Sequence, residues 1–457
     1  MIRIRILEVF VKKQQKIKKI ALPVLAAVFA LAALVVGFTI AHSRDRSVLA
    51  NVFEINNYQV QFTDTFQSPS NWITGQTVSK EIKVKNDTNT PVIARVKLTE
   101  TWDSKDGMGL PLVGAQSNVR MAVVNYLENS GWQLDGTWWY SPVLQPGETS
   151  TSLITGVTLN EDADLGADWR YGGATYKLSA KAEVIQSELA ATEWHKRAVV
   201  NITTINLKAR SFNNNQCKYY DAFERASQKP VFPDGDDAHI VQPESESNTP
   251  FYLWRDGEKI VWYSDADDIY LVGSSQSMNC NYYNSLVGFR DFNTSRITTL
   301  EGWFWTLNRT SSLDGLEMWD VSNVTTMRDT FYNGSSSTGP SDISALARWD
   351  VSSVTSMRDM FVGDPIHDVS ALAAWNVRNV REFHQMFATT DVYDSVCELA
   401  DWPVQGDQLE SWFGMFATRR GPTQVDASCL NKWNIPSDKN YSWFDRQAFI
   451  APSWARQ

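Results

Sequence analysis

Trp319-Asp-Val-Ser-Asn-Val324-Thr-Thr-Met327-Arg-Asp-Thr-Phe331 recurs as Trp349-Asp-Val-Ser-Ser-Val354-Thr-Ser-Met357-Arg-Asp-Met-Phe361, and again as Trp375-Asn-Val-Arg-Asn-Val380-Arg-Glu-Phe383-His-Gln-Met-Phe387. Upstream, Phe292-Asn-Thr-Ser-Arg-Ile297-Thr-Thr-Leu300-Glu-Gly-Trp-Phe304 keeps the same offsets of +5, +8 and +12. A fifth copy starts at Trp402 and reaches Phe416 after a two-residue insertion, and a sixth frays from Trp433. The anchors are 27, 30, 26, 27 and 31 residues apart, and Leu316, Leu346, Leu372, Leu399 and Leu430 each stand three before a Trp. A unit this short cannot bury its own apolar face, so such units stack and share one core. The repeat core is therefore expected to hold Phe292, Trp319, Val324, Met327, Phe331, Trp349, Val354, Met357, Phe361, Trp375, Val380, Phe383, Phe387, Trp402, Phe416 and Trp433. Leu-x-x-Trp-x-Val reads as a short extended segment. Val-x-x-Met-x-x-x-Phe has the three-then-four spacing of one or two helical turns.

That mixture of short strand and short helix resembles leucine-rich repeats, and the motif W-D-V-S-x-V-x-x-M-x-x-x-F resembles the BspA-like repeat proteins of bacterial surfaces. The lead-in Leu253-Trp-Arg-Asp-Gly…Val261-Trp-Tyr-Ser264…Ile269-Tyr270 is similar to what precedes such arrays. The resemblance spans residues 251–457, read as a leucine-rich-repeat-like solenoid of about six units. It implies surface display and adhesion. Arg378, in place of the usual small hydroxyl residue, and the last two copies depart from the pattern.

Before the array, residues 46–190 read as a β domain. Tyr176, Leu178, Ala180, Ala182 and Val184 alternate with Lys177, Lys181 and Glu183. Val92, Ala94, Val96 and Leu98 alternate with Arg95 and Lys97, and Ile82 and Val84 with Lys83 and Lys85. Period two with one charged face marks antiparallel strands packed on one side. Asp135-Gly136 between two aromatic runs marks a hairpin. A β-sandwich of jelly-roll type follows. The segment ending Gly37-Phe-Thr-Ile-Ala41, with Trp72-Ile-Thr-Gly75, Lys83-Val-Lys-Asn86, Asp135-Gly-Thr-Trp-Trp-Tyr140, Leu144-Gln-Pro-Gly-Glu-Thr149 and Ala182-Glu-Val-Ile-Gln-Ser187, resembles SipW-dependent exported proteins of the TasA and camelysin families. That likeness implies secretion, a jelly roll and matrix fibre assembly, which makes the β domain a candidate for homo-assembly. Residues 191–250 read as a connecting segment, acid- and turn-rich from about 225.

The chain has 457 residues and a formal charge of −10. Residues 1–19 hold seven basic side chains against Glu8, a local +6, so the remainder carries −16. An acidic body argues against nucleic-acid binding, and 43% hydrophobic residues argue against wholesale disorder. Ile20–Ile40 contains no charged residue and is long enough to span a bilayer, which makes residues 1–45 a basic cytosolic stub with a signal or anchor helix. Ala41 and Ala50 are alternative cleavage positions. The body is then extracellular, at the cell surface or anchored through residues 20–40.

Export makes disulfides the expected state of the four Cys, which allow three pairings. The local pairs Cys217–Cys280 and Cys397–Cys429 are preferred. Cys397 stands five residues before Trp402 and Cys429 four before Trp433. Equivalent positions on adjacent coils lie about 4.8 Å apart, within the roughly 4.4–6.8 Å a disulfide tolerates between Cα atoms.

No catalytic, cofactor or metal site is expected. None of His42, His195, His239, His367 and His384 sits in His-Glu-x-x-His, and Glu193-Trp-His195 reads as incidental. The turns Asp234/Asp236/Asp237 and Asp265/Asp267/Asp268 lack the spacing of a calcium loop. Trp138, Trp139 and Tyr140 in succession are the candidate exposed contact surface. The functional expectation is a non-enzymatic surface or matrix protein that binds an extracellular protein or glycan through its repeats. The alternatives are a secreted camelysin-like metallopeptidase and a purely structural biofilm fibre subunit.

Overall fold

The computed structural model describes residues 48–55, 60–64, 72–211, 218–242, 244–273, 281–305, 307, 312–334, 339–388, 395–417, 425–439, 443–444 and 449–455. The expected N-terminal helix and the Cys217–Cys280 pair lie outside them. Among the described residues no helix is long and apolar enough to cross a membrane. The protein is built mostly from strands in several sheets, with few helices.

The first eleven strands are β1 (Val48–Ile55), β2 (Val60–Asp64), β3 (Thr77–Ser79), β4 (Ile82–Asn86), β5 (Val92–Asp103), β6 (Gly109–Leu110), β7 (Ala122–Tyr126), β8 (Gln133–Asp135), β9 (Trp138–Tyr140), β10 (Ile154–Leu159) and β11 (Thr175–Gln186). One sheet has the order β1-β11-β5-β9-β8, with β6 also on β5. A second has the order β3-β10-β7, and β2 pairs with β4. In β11 the alternation is complete: Tyr176, Leu178, Ala180, Ala182 and Val184 are buried and their neighbours are not. These residues share a core with Trp72, Trp102 and Tyr171, whose rings meet Trp102 at 5.5–6.1 Å.

The segment expected to be a connector is instead structural. β12 (Arg197–Asn201) pairs in parallel with β17 (Asp268–Val272), β13 (Lys218–Tyr220) with β18 (Asn281–Tyr283), and β14 (Ala222–Arg225) with β16 (Lys259–Tyr263), itself antiparallel to β15 (Tyr252–Asp256). Val200, Ile202, Ile205, Phe223 and Val241 lie in the same core as the repeats. Partners far along the chain complete these sheets, so no local alternation announced them. Residues 226–239 remain irregular apart from one short turn at Asp236–Ala238.

The repeat units stack in parallel. N–H groups of alternate residues donate to alternate carbonyls of the next unit. Leu300, Gly302 and Phe304 donate to Thr326, Arg328 and Thr330; Met327, Asp329, Phe331 and Asn333 donate to Ser356, Arg358, Met360 and Val362. Met357, Asp359, Phe361 and Gly363 continue to Glu382, His384, Met386 and Ala388, and Phe383, Gln385 and Phe387 to Ser411, Phe413 and Met415, all at 2.7–3.0 Å. Phe304, Phe331, Phe361, Phe387 and Phe416 stack ring on ring at 5.5–5.7 Å within 12° of parallel.

The internal plan of each unit differs from the expected one. The short helices precede the Trp: single 3-10 turns at Ser344–Arg348, Ser370–Leu372, Cys397–Leu399 and Ser428–Lys432. The Val-to-Phe stretch is not helical but carries the parallel ladder. It is broken into single bridges because one residue per unit (Gly302, Asp329, Asp359, Gln385 or Gly414) has a left-handed backbone, with φ between 47° and 65°. At Gly302, Asp329, Asp359 and Gln385 that residue turns the chain while its N–H donates to the next unit. A helical spacing of apolar side chains is thus produced by a bent, extended arc. β19 (Val425–Asp426) and β20 (Phe449–Ile450) pair in parallel near the C-terminal end.

Candidate interaction surface

All sixteen expected repeat-core residues are buried. The anchors are tryptophans for a reason beyond bulk. Each indole N–H crosses to the unit before it: Trp319 to the Phe289 carbonyl, Trp349 to Leu316, Trp375 to Leu346, Trp402 to Leu372 and Trp433 to Leu399, at 2.8–3.1 Å. Trp454 does the same to Leu430 at 2.8 Å. It extends the ladder by one clamp, missed in the sequence because no Leu stands three before it. Cys397 and Cys429 form a disulfide across adjacent units, with Cα atoms 5.5 Å apart.

One arc of the stack is covered by the β domain. Arg348, ending a 3-10 turn, donates to the Trp102 carbonyl at 2.6 Å and to the Asp103 carboxylate. The Trp169 indole donates to Asp401 at 2.8 Å, and Arg170 to the Glu398 carbonyl at 3.1 Å. Arg378, the departure from the motif, donates to the Gln116 carbonyl at 3.1 Å, and Asn376 to Asn118. A second junction forms at the β8–β9 turn. Thr137 donates to Asp268 through its N–H and its hydroxyl, and Arg197 pairs with Asp135 at 2.8 Å. Gly136, at φ 61°, brings its backbone so close to the Asp268 carboxylate that a Cβ would collide with it.

This geometry corrects the expected aromatic contact surface. Trp138 and Tyr140 are buried. Period two sends both to one face of β9, where the Arg95 guanidinium lies between Trp138 at 4.3 Å and Trp194 at 4.6 Å. Arg95 also pairs with Glu183 at 2.5 Å and Asp267 at 2.9 Å. Trp139, on the other face, is half-buried against Tyr126, ring centroids 4.6 Å apart.

The other arc of the stack faces outward. Arg296, Thr298, Asn323, Thr325, Ser353, Thr355, Asn379, Arg381 and Glu410 are exposed. They recur at fixed positions because Thr325, Thr355, Arg381 and Glu410 each donate backbone N–H to the unit before, at 2.8–3.0 Å. The result is a set of parallel columns of hydroxyl, amide and charged groups. Burial, reinforced by the neighbouring Asp359, pushes the Asp329 carboxyl above its ordinary range. Phe413 is 57% exposed at the end of one column and stacks on His384.

The other candidates have partners within the chain. His195 Nδ1 lies 2.7 Å from Asp135, and His239 Nε2 lies 2.8 Å from Asp234. Asp236 pairs with Lys229, and Asp265 accepts from the Tyr263 hydroxyl. Among the described residues no three His, Cys, Asp or Glu side chains converge on a point.

Fold and surface together define a multi-sheet, strand-rich protein whose C-terminal part is a stack of short parallel-bonded units. Residues 274–344 and 335–449, within that stack and its lead-in, match the family described as "Mycoplasma protein of unknown function, DUF285". No curated protein and no solved structure matches the chain.

Proposed function

We propose that the chain is a non-enzymatic bacterial surface or extracellular-matrix protein whose repeat array binds a protein or glycan partner through its outward columns. In this reading residues 251–457 are a BspA-like, leucine-rich-repeat-like solenoid. Residues 46–190 are a TasA/camelysin-like jelly-roll domain, and residues 1–45 carry the body across the membrane. The observation that carries the reading is the set of inter-unit hydrogen bonds that recurs from unit to unit between Leu300 and Phe387. It fixes exposed side chains at regular spacing on one arc while the β domain covers another. A rigid lattice of polar groups recognises an extended partner at low entropic cost. The family match to the same residues supports it. The test is adhesion of the full chain to immobilised fibronectin, collagen, laminin and mucin glycans. A Thr325→Lys/Thr355→Lys/Arg381→Glu variant should lose binding while keeping its fold. Caseinolytic activity with stoichiometric zinc would instead make the protein a peptidase.

A further inference from the structure

Asp364-Pro365 is the only Asp-Pro pair in the chain. It stands where the backbone leaves the ladder. Gly363, left-handed at φ 88°, donates the rung that follows Phe361 to the Ala388 carbonyl at 3.0 Å, and the Asp364 N–H closes a turn to the Phe361 carbonyl at 3.3 Å. Pro365 has no N–H and so offers no rung of its own. The Asp364 side chain packs against the preceding unit, beside Asn333 and the backbone of Gly339, where a Cβ would collide with Oδ1. It is fully buried, and both its oxygens lack a hydrogen-bond partner among the described residues.

A buried carboxyl group that nothing holds costs stability. It is also free to turn toward its own backbone carbonyl, with which it closes a five-membered ring, as an ion-paired carboxylate is not. Reaction within one residue has the rate advantage of enforced proximity. Before most residues, the nitrogen of the following backbone N–H attacks the side chain instead and closes a succinimide. Proline shuts that route and leaves its own nitrogen as the departing amine. The attack needs the neutral acid, whose proton must pass to that nitrogen. Burial favours this form, and among the described residues no charged group bears on it; Asn333 alone opposes.

We propose that Asp364–Pro365 is a self-cleavage site, at which the buried Asp364 carboxyl group cuts the peptide bond that follows it. An Oδ atom bonds to the Asp364 carbonyl carbon, the bond from that carbon to the Pro365 nitrogen breaks, and the carboxyl proton goes to the nitrogen. One water then opens the cyclic anhydride, which gives a new α-carboxylic acid on Asp364 and restores its side chain. The event is a single turnover and does not depend on what the array binds. The two pieces stay assembled, because the rungs from Met357, Asp359, Phe361 and Gly363 to residues 382–388 straddle the cut, as does the Trp375 indole bonded to Leu346. The cut turns the boundary between two units into a noncovalent joint, from which the C-terminal units can be released.

The experiment brings the full chain, purified in detergent micelles at pH 8, to about pH 6 and follows it by intact-mass spectrometry and denaturing electrophoresis. Fragments 1–364 and 365–457 are expected, their masses summing to that of the parent plus one water, and they should co-elute until denatured. At this pH an unfolded Asp, with a pKa of about 3.9, is neutral about one time in a hundred, so the native chain should cleave at least about tenfold faster than the same chain in urea. The rate should fall as pH is raised. Asp364→Asn and Pro365→Ala should each stay whole with native circular dichroism. A native chain still uncut after a week overturns the proposal. Equal cleavage in urea does so too, since that is the ordinary lability of the pair. Cleavage that persists in Asp364→Asn is the work of a contaminating protease and likewise overturns it.

Discussion

Arg378 Nη2 donates to the Gln116 carbonyl at 3.1 Å, tying the repeat unit anchored on Trp375 to a loop of the β domain. In the two preceding units the matching residues are Asp320 with Ser322 and Asp350 with Ser352, which close a local turn through Ser N–H to Asp Oδ1. Asn376 keeps that turn, accepting from the Arg378 N–H at 3.2 Å, and its amide turns outward to Asn118. The departure from the motif is thus a docking device. Restoring the motif with Asn376→Asp/Arg378→Ser should leave the array folded and weaken the junction by about 1–3 kcal/mol, the scale of two side-chain hydrogen bonds. Hydrogen exchange should rise at residues 114–118 and stay unchanged in the ladder from Met327 to Phe387.

Acid should open the same junction. Burial alone would raise the Asp103 carboxyl, but Lys177 and Arg348 hold it below its ordinary range. Asp401 is likewise held down by Lys432 and the Trp169 indole despite its burial. A carboxylate with a depressed folded pKa contributes fully above its unfolded value of about 3.9, and the contribution is lost as pH falls through the lower folded value. The docked form should therefore weaken below about pH 4, seen as an increase in radius of gyration by small-angle scattering. Arg348→Gln should reduce stability at pH 6, with the difference from the parent shrinking as Asp103 is protonated. A constant difference down to pH 2 would show that the Arg348–Asp103 pair plays no part.

Asp364 carries the opposite sign. It is fully buried, both carboxylate oxygens lack a hydrogen-bond partner among the described residues, and burial pushes its pKa well above the ordinary range, with Asn333 opposing. Burial favours its neutral form in the folded state, so stability declines as pH rises above the unfolded value, by up to about 1.4 kcal/mol per unit. Asp364→Asn should raise the melting temperature at pH 7. The gain should fade toward pH 4, as differential scanning calorimetry over that range would show.

The repeat period and the identity of its core were legible because stacking imposes the same burial on every copy. The Trp-to-Phe spacing therefore survives changes at the exposed positions between. The direction of the local backbone was not legible. Left-handed residues at Asp329, Asp359 and Gln385 bend an extended chain until its apolar side chains fall at helical intervals. β12 and β13 escaped notice because their partners β17 and β18 lie 71 and 63 residues on, separations local patterning cannot reveal. The fate of Trp138 was equally hidden, because its cover, Arg95 between two indoles, combines strands and a helix distant in the chain.

That sheet architecture sets the smallest fragment able to fold around the array. A chain starting at residue 251 retains every repeat but lacks β12, β13 and β14, and so exposes strands β16, β17 and β18 along their pairing edges. It also removes Ile202, Ile205, Phe223 and Val241 from the core. Burying four such side chains is worth about 1.5–3 kcal/mol each, comparable to the whole stability of a domain. Residues 196–457 should express as a soluble, cooperatively melting fragment, and residues 251–457 should aggregate. Equal melting of the two fragments would show that the strands before residue 251 are accessory.

Gln385 offers a direct test of the ladder's turning point. Its φ is 47°, whereas the equivalent positions at either end of the array, Gly302 and Gly414, are glycines at 65°. An L-residue in this conformation costs about 1–2 kcal/mol, and glycine avoids that cost but loses about 0.5–1 kcal/mol of backbone entropy. The Gln385 N–H must still reach the Phe413 carbonyl at 3.0 Å, so the conformation cannot relax without breaking the ladder. Gln385→Gly should therefore be neutral to slightly stabilising. Gln385→Val, whose branched side chain tolerates positive φ worst, should lower stability by about 1–3 kcal/mol. Denaturant unfolding of the two variants decides the point. If the valine variant unfolds at the parent's midpoint, the left-handed turn is not what holds one unit in register with the next.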